Sequence, residues 1–346
     1  MIPEPTDSAR GHAAPALGRR ISEDLLYLGF QGRRLEASVR SLARSGLLDS
    51  GLAGFRIDVR TAVVARAMRC APDGRGDLCH PGPLSPGPAL AFGATPLEFL
   101  RHVARKGTTP SSARAGGLSW TDLRRGMIGW GGPRAGMMTQ ILAGAALAFR
   151  QRGEDRVALA FEGRGALQSG GWHEGINLAG AARVPLIVVV EDSFPADPSD
   201  STDVGAVAAS YGVGFSRVGA EPHEGIFRTA AAARRRAAKG RGPTLVELVP
   251  LPDDDLWALH DAFAERAAAE AGIGESELKA IERAAAAGVD HASARLEREP
   301  APAARDALAP VLTGAAPLAP WTRRDPSAPG LSRPAGTPDA GASDAR

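Results

Sequence analysis

The chain has 346 residues, of which 44% are hydrophobic and 23% charged, proportions that are ordinary for a globular protein with a buried core. Its 41 basic residues nearly balance its 39 acidic residues, which does not indicate a nucleic-acid-binding surface. Cys70 and Cys79 are too few for a disulfide framework, and no spacing of Cys or His is typical of a zinc site. Because the longest strongly apolar run, 184–190, is too short to cross a bilayer, we expect a cytoplasmic protein that binds neither membranes nor nucleic acids.

The first part of the chain predicts a polar arm followed by helices. Residues 1–20 are polar, contain several prolines and lack the apolar core of a secretory signal, so we expect a flexible arm. Leucine and valine recur at helical spacing over 21–44, which predicts a long amphipathic helix. Residues 137–151 are apolar on nearly every face, as expected of a helix buried within a domain.

Beyond this buried helix, short apolar segments alternate with helical ones. The predicted strands are 157–161, 186–190 and 244–248, and the predicted helices are about 171–182, 224–239 and 276–298. Strands that are apolar throughout and separated by helices are typical of a parallel sheet covered on both faces. The sequence therefore predicts an α/β fold: a doubly wound parallel sheet with helices on both faces.

The end of the chain has a different composition. From Pro300 onward, prolines recur among Ala, Gly, Ser and Arg. Such a segment buries too little apolar surface to offset the conformational entropy lost on ordering. We therefore predict a disordered Pro/Ala-rich tail over 301–346 and one domain over 21–300.

A glycine-rich turn follows the first predicted strand. Gly163, Arg164 and Gly165 lie between that strand and a helix, where free backbone N–H groups and the helix dipole favour an anion. In a doubly wound sheet, ligands bind beyond the carboxyl ends of the strands. Taken alone, the pattern is compatible with a phosphate site and with a simple turn.

The surrounding residues form a more specific pattern. Its parts are Gly-Ala-Ala-Leu-Ala-Phe at 144–149, Arg-Gly-Glu-Asp-Arg-Val at 152–157, the Gly-x-Gly turn, His173-Glu174-x-x-Asn177, and Pro185 opening a strand that ends in an acidic residue. This stretch resembles the cofactor-binding core of the alpha subunits of thiamine-diphosphate-dependent 2-oxo acid dehydrogenases of the pyruvate and branched-chain type. The resemblance extends to 107–110, 114–117, 242–248 and 272–296, so it covers about 21–300. It implies the thiamine-diphosphate-binding fold.

The resemblance also implies a cofactor site and a partner. In that family the alpha chain holds thiamine diphosphate through a magnesium ion, and a separate beta chain supplies the glutamate that activates the cofactor. The matching positions in this chain, which are the predicted cofactor-binding residues, are Gly163, Arg164, Gly165, Ala166, Asp192 and Ser193. We expect assembly with a beta-type subunit, with a second copy of this chain, or with both.

The metal ligands of the family are not matched. The family uses the Asp of Gly-Asp-Gly and the second Asn of an Asn-Asn pair 29 residues later, whereas this chain has Arg164 and Ser193, with Asp192 in place of the first Asn. Replacing a carboxylate by a guanidinium changes the local charge by two units, and one unit pair at about 4 Å is worth roughly 4 kcal/mol at an effective dielectric of about 20. Asp192 or Asp197 could neutralise the guanidinium, but neither restores an octahedral oxygen cage. We therefore expect no magnesium site.

Other ligand-handling positions differ as well. The family's Tyr-Arg becomes Pro83-Leu84, and its His-Gly-His becomes Pro86-Gly87-Pro88. The glycine-rich segment that carries an active-site His in the family is 131–136 here and has no His. A Tyr-Arg and His-Ser segment is replaced by 251–255, Leu-Pro-Asp-Asp-Asp. The scaffold residues match the family, whereas the ligand-handling residues do not.

Two interpretations of Arg164 stay open. Its guanidinium either replaces the metal and pairs directly with a diphosphate or another phosphorylated ligand, or it belongs to a vestigial pocket in which it pairs with Asp192, Glu162 or Glu191. His173 and Glu174 are weak catalytic candidates, and we expect them instead to orient their helix at a subunit contact. The five histidines outside this helix and the altered motifs, His223 and His260 among them, have no partner spacing and are predicted to be surface or structural residues.

The sequence therefore predicts an alpha-subunit-like component of a thiamine-diphosphate-dependent 2-oxo acid dehydrogenase. The altered cofactor site predicts that it is catalytically impaired or an auxiliary subunit, so its competence as an enzyme is open. The alternative is a metal-independent binder of thiamine diphosphate or another phosphorylated ligand through Arg164.

Overall fold

A computed structural model describes residues 17–71, 73–82, 86–109, 113, 121–129, 135–191 and 202–303. The described helices and strands all fall in one compact unit. Within these ranges, no helix combines the length and the apolar character that a membrane span requires. The predictions for most of the arm and for the tail concern 1–16 and 304–346, which lie outside the described residues.

The described residues contain ten α-helices and five strands. The helices are α1 (Arg19–Arg44), α2 (Val59–Arg66), α3 (Pro86–Ala91), α4 (Pro96–Val103), α5 (Met137–Gln151), α6 (Gly170–Ala181), α7 (Val204–Ser210), α8 (His223–Ala238), α9 (Asp253–Glu270) and α10 (Glu275–Leu296). The strands are β1 (Leu78–His80), β2 (Ala158–Gly163), β3 (Leu186–Glu191), β4 (Gly214–Val218) and β5 (Thr244–Leu248). The predicted helices and strands all occur, and α1 begins at Arg19, two residues inside the predicted arm.

The five strands form one parallel sheet in the order β1-β2-β3-β5-β4. The pairing aligns the carboxyl ends of the inner strands: Gly163 of β2 lies opposite Glu191 of β3, and Val190 lies opposite Glu247 of β5. The chain therefore leaves β2, β3 and β5 at the same end of the sheet, which we call the carboxyl edge.

Alternate residues of the central strands face two separate cores, because successive side chains of a strand point to opposite faces. Leu159, Phe161, Ile187, Val189 and Val246 pack into the core formed with α1, α2, α4, α8, α9 and α10. Ala158, Ala160, Val188, Val190 and Leu245 pack into the core formed with α5, α6 and α7. Helices therefore cover both faces of the sheet, which confirms the predicted doubly wound α/β architecture.

Candidate functional site

The glycine turn lies at the carboxyl edge, directly after β2. Gly163 leaves the strand in an extended conformation, and Arg164–Gln168 forms a single 3-10 turn before α6. A Cβ atom placed on Gly163 or Gly165 would meet no other heavy atom within 4 Å. Ala166, in contrast, is buried in the core beneath α5 and α6, so its side chain contributes no contact at the surface.

The guanidinium of Arg164 is held by two other segments at this edge. Nη1 donates to Oε1 of Glu247 on β5 at 2.9 Å, and Nη2 donates to the carbonyl oxygen of Thr202 at 2.7 Å. The side chain of Arg164 is 14% exposed and that of Glu247 is 7% exposed. The described side-chain partner of Arg164 is thus a carboxylate on β5 of the same sheet, largely shielded from water.

Glu247 binds a second arginine through its other oxygen. Nε of Arg217 on β4 donates to Oε2 of Glu247 at 2.7 Å, and its Nη2 reaches Asp203 at 3.3 Å. The hydrogen bond to Glu247 raises the pKa of Arg217 above its usual value, and the charge of the same carboxylate acts in the same direction. Two guanidinium groups and two carboxylates therefore neutralise each other at the ends of β2, β4 and β5.

Glu162, one of the three predicted partners of Arg164, is engaged elsewhere. Glu162 is buried and accepts hydrogen bonds from the backbone N–H groups of Gly136 (3.3 Å) and Thr139 (3.0 Å) and from the Thr139 hydroxyl (3.1 Å). It therefore caps the amino terminus of α5, where free N–H groups and the helix dipole favour an anion. Burial raises the pKa of Glu162, and these hydrogen bonds oppose the shift. The structure thus adds Glu247 as a partner that the sequence prediction for Arg164 did not include.

Several predicted positions lie outside the described residues or in the packed interior. Asp192, Ser193 and Asp197 fall in the gap between β3 and α7, so their roles as cofactor or neutralising residues stay predictions. The segment 86–88, at the position of the family's His-Gly-His, forms the buried first turn of α3, where a Cβ on Gly87 would lie 2.6 Å from the Thr61 hydroxyl. Asp253, in the segment that replaces the family's Tyr-Arg and His-Ser, pairs with Arg40 at 3.0 Å and Arg56 at 2.8 Å.

The residues described at this turn do not fit a divalent cation. Magnesium requires hard oxygen ligands in near-octahedral geometry. The side chain at position 164 offers only N–H donors and carries a positive charge. Two oxygens described within hydrogen-bonding distance of this guanidinium, on Glu247 and Thr202, accept hydrogen bonds from it.

The two weak catalytic candidates lie on α6. Nδ1 of His173 is 2.8 Å from the hydroxyl of Tyr211, which directly follows α7, and Glu174 is exposed. The hydrogen bond described for His173 thus links α6 to α7 rather than to the turn at 163–165. Its expected role at a subunit contact is not tested by this geometry.

His80 is a candidate site residue that the sequence analysis did not identify. It ends β1 at the same edge of the sheet, and its Nδ1 lies 3.0 Å from the carbonyl oxygen of Ile128. Because a carbonyl only accepts, Nδ1 carries the proton and Nε2 is left as an acceptor. Burial lowers the pKa of His80 to about 4, so the ring is neutral at pH 7. A three-residue strand has no recognisable periodicity, and only the position of His80 before Pro81 and Gly82 could have marked a strand end.

Comparison with known proteins identifies similar sequences. A family model described as "Dehydrogenase E1 component" matches residues 97–250. The alpha subunit of acetoin:2,6-dichlorophenolindophenol oxidoreductase from Cupriavidus necator is 29% identical over 252 residues, which are 65% of this chain and 75% of that protein. The alpha subunit of 2-oxoisovalerate dehydrogenase from Bacillus subtilis is 26% identical over 260 residues, covering 72% and 77%.

Two further similarities each cover less than half of the other protein. The alpha subunit of the pyruvate dehydrogenase E1 component from Bacillus subtilis is 38% identical over 113 residues, so this chain spans only 30% of that relative. A solved transketolase from Pichia stipitis has 18% identity and a TM-score of 0.47 over 80% of this chain and 48% of its own. The assignment of the fold rests on the strand order and on the two cores, not on this overlap.

Proposed function

The chain belongs to the family of alpha subunits of thiamine-diphosphate-dependent 2-oxo acid dehydrogenases, and we propose that it is an auxiliary alpha-type subunit without metal-dependent catalytic activity. The observation that carries the proposal is the ion pair between Arg164 and Glu247. It lies at the turn where the family places the acidic ligand of its metal ion.

The charge balance at the carboxyl edge supports this proposal. A catalytic alpha subunit of this family needs oxygen ligands for the metal ion and hydrogen-bond donors for the diphosphate. In this chain the guanidinium of Arg164 already has a carboxylate and a carbonyl as partners, and the amino terminus of α5 already has the carboxylate of Glu162. Both local charges are therefore satisfied by the chain itself, which leaves no net attraction for a metal–diphosphate pair at these two points.

The relatives suggest what such a chain would assemble with. Their names describe them as alpha subunits, so we propose a beta-type subunit or a second copy of this chain as the partner. On the outer side of α6, Glu174 and Asn177 are exposed beside Leu178, which is 43% exposed. An exposed leucine flanked by polar residues is a suitable contact for such a partner. Both cysteines are free thiols, which suits the cytoplasmic location proposed for the chain.

Calorimetric titration with thiamine diphosphate tests the proposal. The titration is run on the purified chain and on its complex with any co-expressed beta-type subunit, with magnesium and with a chelator. We expect no magnesium-dependent binding in either sample, because the turn presents a guanidinium where a metal ligand is needed. Micromolar binding that disappears with the chelator would contradict the proposal.

The same titration also detects the alternative function. A metal-independent binder of phosphorylated ligands would bind thiamine diphosphate equally with magnesium and with the chelator. That binding would be lost in Arg164→Ala and kept in Arg217→Ala, since only Arg164 lies on the glycine turn. A result of this kind would replace the auxiliary-subunit proposal with the binding function.

A further inference from the structure

Two oxygen atoms from different parts of the chain converge on one cationic group at the carboxyl edge. Oε1 of Glu247 belongs to β5, and the carbonyl oxygen of Thr202 belongs to the segment that enters α7. They accept from Nη1 and Nη2 of Arg164 at 2.9 Å and 2.7 Å. Because these two nitrogens share one planar carbon, both oxygens face the same delocalised charge.

The shielding of Glu247 from water makes the positive charge of Arg164 favourable to the stability of the fold. The side chain of Glu247 is 7% exposed, so its carboxylate is largely removed from water. Arg217 covers only the other oxygen, Oε2, and its own side chain is 54% exposed. Removing one partner of a shielded ion pair leaves an uncompensated charge, which is far more costly than losing a contact in water.

We propose that Glu247 and the carbonyl of Thr202 form a cation-binding seat, that the guanidinium of Arg164 is its permanent internal occupant, and that a free guanidinium ion binds there when this side chain is removed. A planar cation with several N–H donors fits two acceptors arranged as a fork. The seat uses β5 and the segment before α7, so its occupant ties the turn after β2 to two other elements. The inference concerns the same turn as the proposed function, but it does not depend on the loss of catalysis.

Thermal unfolding with chemical rescue tests the seat in the full-length chain without thiamine diphosphate. We expect Arg164→Ala to lower the Tm by roughly 5–10 °C, the size expected when one partner of a shielded pair is removed from a domain of this length. Guanidinium chloride at about 20 mM, far below the molar concentrations at which it denatures proteins, should restore at least half of that loss. Sodium chloride at the same concentration should restore none of it.

Matched variants separate the seat from a general effect of the salt. Guanidinium should not rescue the double variant Arg164→Ala/Glu247→Gln, because the carboxylate that binds it is gone. Arg217→Ala, which uncovers the outer oxygen of the same Glu247, should lose less stability and gain less from guanidinium. If Arg164→Ala does not fold, Arg164→Lys supplies the measurement, because a single ammonium reaches both acceptors less well and should leave a smaller loss that guanidinium does not restore.

The outcomes decide the inference without reference to catalysis. An Arg164→Ala variant as stable as the wild type would overturn it, and so would a loss that sodium chloride restores equally well. Rescue of Arg164→Ala by magnesium chloride but not by guanidinium would also overturn it, since the seat would then prefer a compact divalent ion. Magnesium-dependent cofactor binding by the unmodified chain would contradict the proposed function and leave this test unaffected.

Discussion

Buried polar groups are treated in opposite ways in two regions of this protein. At the carboxyl edge, Arg164, Glu247 and Arg217 are charged and each has a partner of opposite charge. Between α1, α8 and α9, the imidazoles of His223 and His260 are fully buried, and none of their four ring nitrogens has a hydrogen-bond partner among the described residues. One region keeps its charges by pairing them, and the other tolerates polar rings by keeping them neutral.

The histidine region is held together by aromatic packing. The ring of His223 stacks on Phe263 at a centroid distance of 5.0 Å, and the ring of His260 meets the edge of Phe30 at 4.9 Å. Gly29 of α1 is required there, because a Cβ at that position would lie 2.0 Å from the His260 ring. Burial lowers the pKa of His260 to about 3, helped by the positive charge of Arg33.

The same logic applies to the second imidazole. Burial lowers the pKa of His223 well below its usual value, and the neighbouring ring of His260 and the positive charges of Arg266 and Arg60 act in the same direction. Glu224, the neighbouring carboxylate, is engaged by Arg266 at 3.2 Å. The difference between the regions teaches that a shielded charge is stable where its counter-charge is fixed, whereas a shielded titratable group without a counter-charge becomes a pH-sensitive point.

The largest effect is expected when the central carboxylate of the paired region is removed. Glu247→Ala removes the carboxylate that neutralises Arg164 and Arg217, and we expect it to lower the free energy of unfolding by about 3–5 kcal/mol. Denaturant unfolding followed by circular dichroism measures this loss. Asp203→Asn, which removes the charge of the exposed partner of Arg217 but keeps an oxygen that can accept from the Gly205 N–H at the start of α7, is the control and should cost less than about 1 kcal/mol. Equal losses in the two variants would show that burial does not distinguish these carboxylates.

The next effect concerns the cap on α5. Glu162→Ala removes the acceptor of three hydrogen bonds at a helix amino terminus, and we expect a loss of about 2–3 kcal/mol because the N–H groups stay buried without a partner. Glu162→Gln keeps the shape and one acceptor oxygen, so it should lose less. Hydrogen exchange at the first turn of α5 should rise in Glu162→Ala, and unchanged exchange there would argue against the capping role.

The third prediction concerns the pH dependence of stability that the buried histidines cause. A histidine whose folded pKa is about 3 and whose unfolded pKa is about 6.5 destabilises the fold as the pH falls below about 6.5, because the unfolded chain binds the proton first. Between pH 7 and pH 5 the His260 contribution amounts to roughly 2 kcal/mol. His260→Phe should therefore flatten the loss of stability on acidification, as measured by urea unfolding at the two pH values. The exposed His291, changed to Gln, provides the matched control. An unchanged pH slope in His260→Phe would remove the contrast between the two regions.

The smallest effect sharpens the comparison within the paired region. Arg217→Ala removes a half-exposed guanidinium from Glu247 while Arg164 stays in place. We expect the free energy of unfolding to decrease by about 0.5–1 kcal/mol. This decrease should be smaller at high salt, because salt screens an exposed ion pair. Urea unfolding at low and high sodium chloride measures it. A loss as large as that of Glu247→Ala would assign the main pairing to Arg217 instead of Arg164.

The sequence predicted the central strands and long helices because their apolar patterns are strong and local. Residues 157–161 and 186–190 are continuous apolar runs, and 244–248 is apolar apart from Thr244 and Glu247. The structure places strands at all three. The sequence did not predict β1, which has three residues. It also did not predict β4, whose first four side chains alternate between half-buried and exposed at the edge of the sheet. Short and edge strands are specified by pairing with a neighbour, and that neighbour is distant in the chain.

The candidate site was predicted in part. The turn at 163–165 was identified from its glycines and from the family resemblance, and its place at the carboxyl edge follows from the parallel order of the strands. The partner of Arg164 was not identified, because Glu247 stands 83 residues away in a strand that the sequence marked only as scaffold. His80 was missed for the same reason, since its strand is defined by pairing with β2.

The sequence by itself determined the α/β class, the resemblance to the family and the presence of Arg164 at the position of the family's acidic metal ligand, because local periodicity and residue identity are contained in the chain order. Only the tertiary structure decided where each polar group lies: Arg164 beside Glu247, Glu162 at the start of α5, and two histidines in a core where no described residue forms a hydrogen bond with their ring nitrogens. The physical reason is that the energy of a charge depends on its distance to other charges and to water. Those distances are set by the folding of segments that are far apart in the sequence.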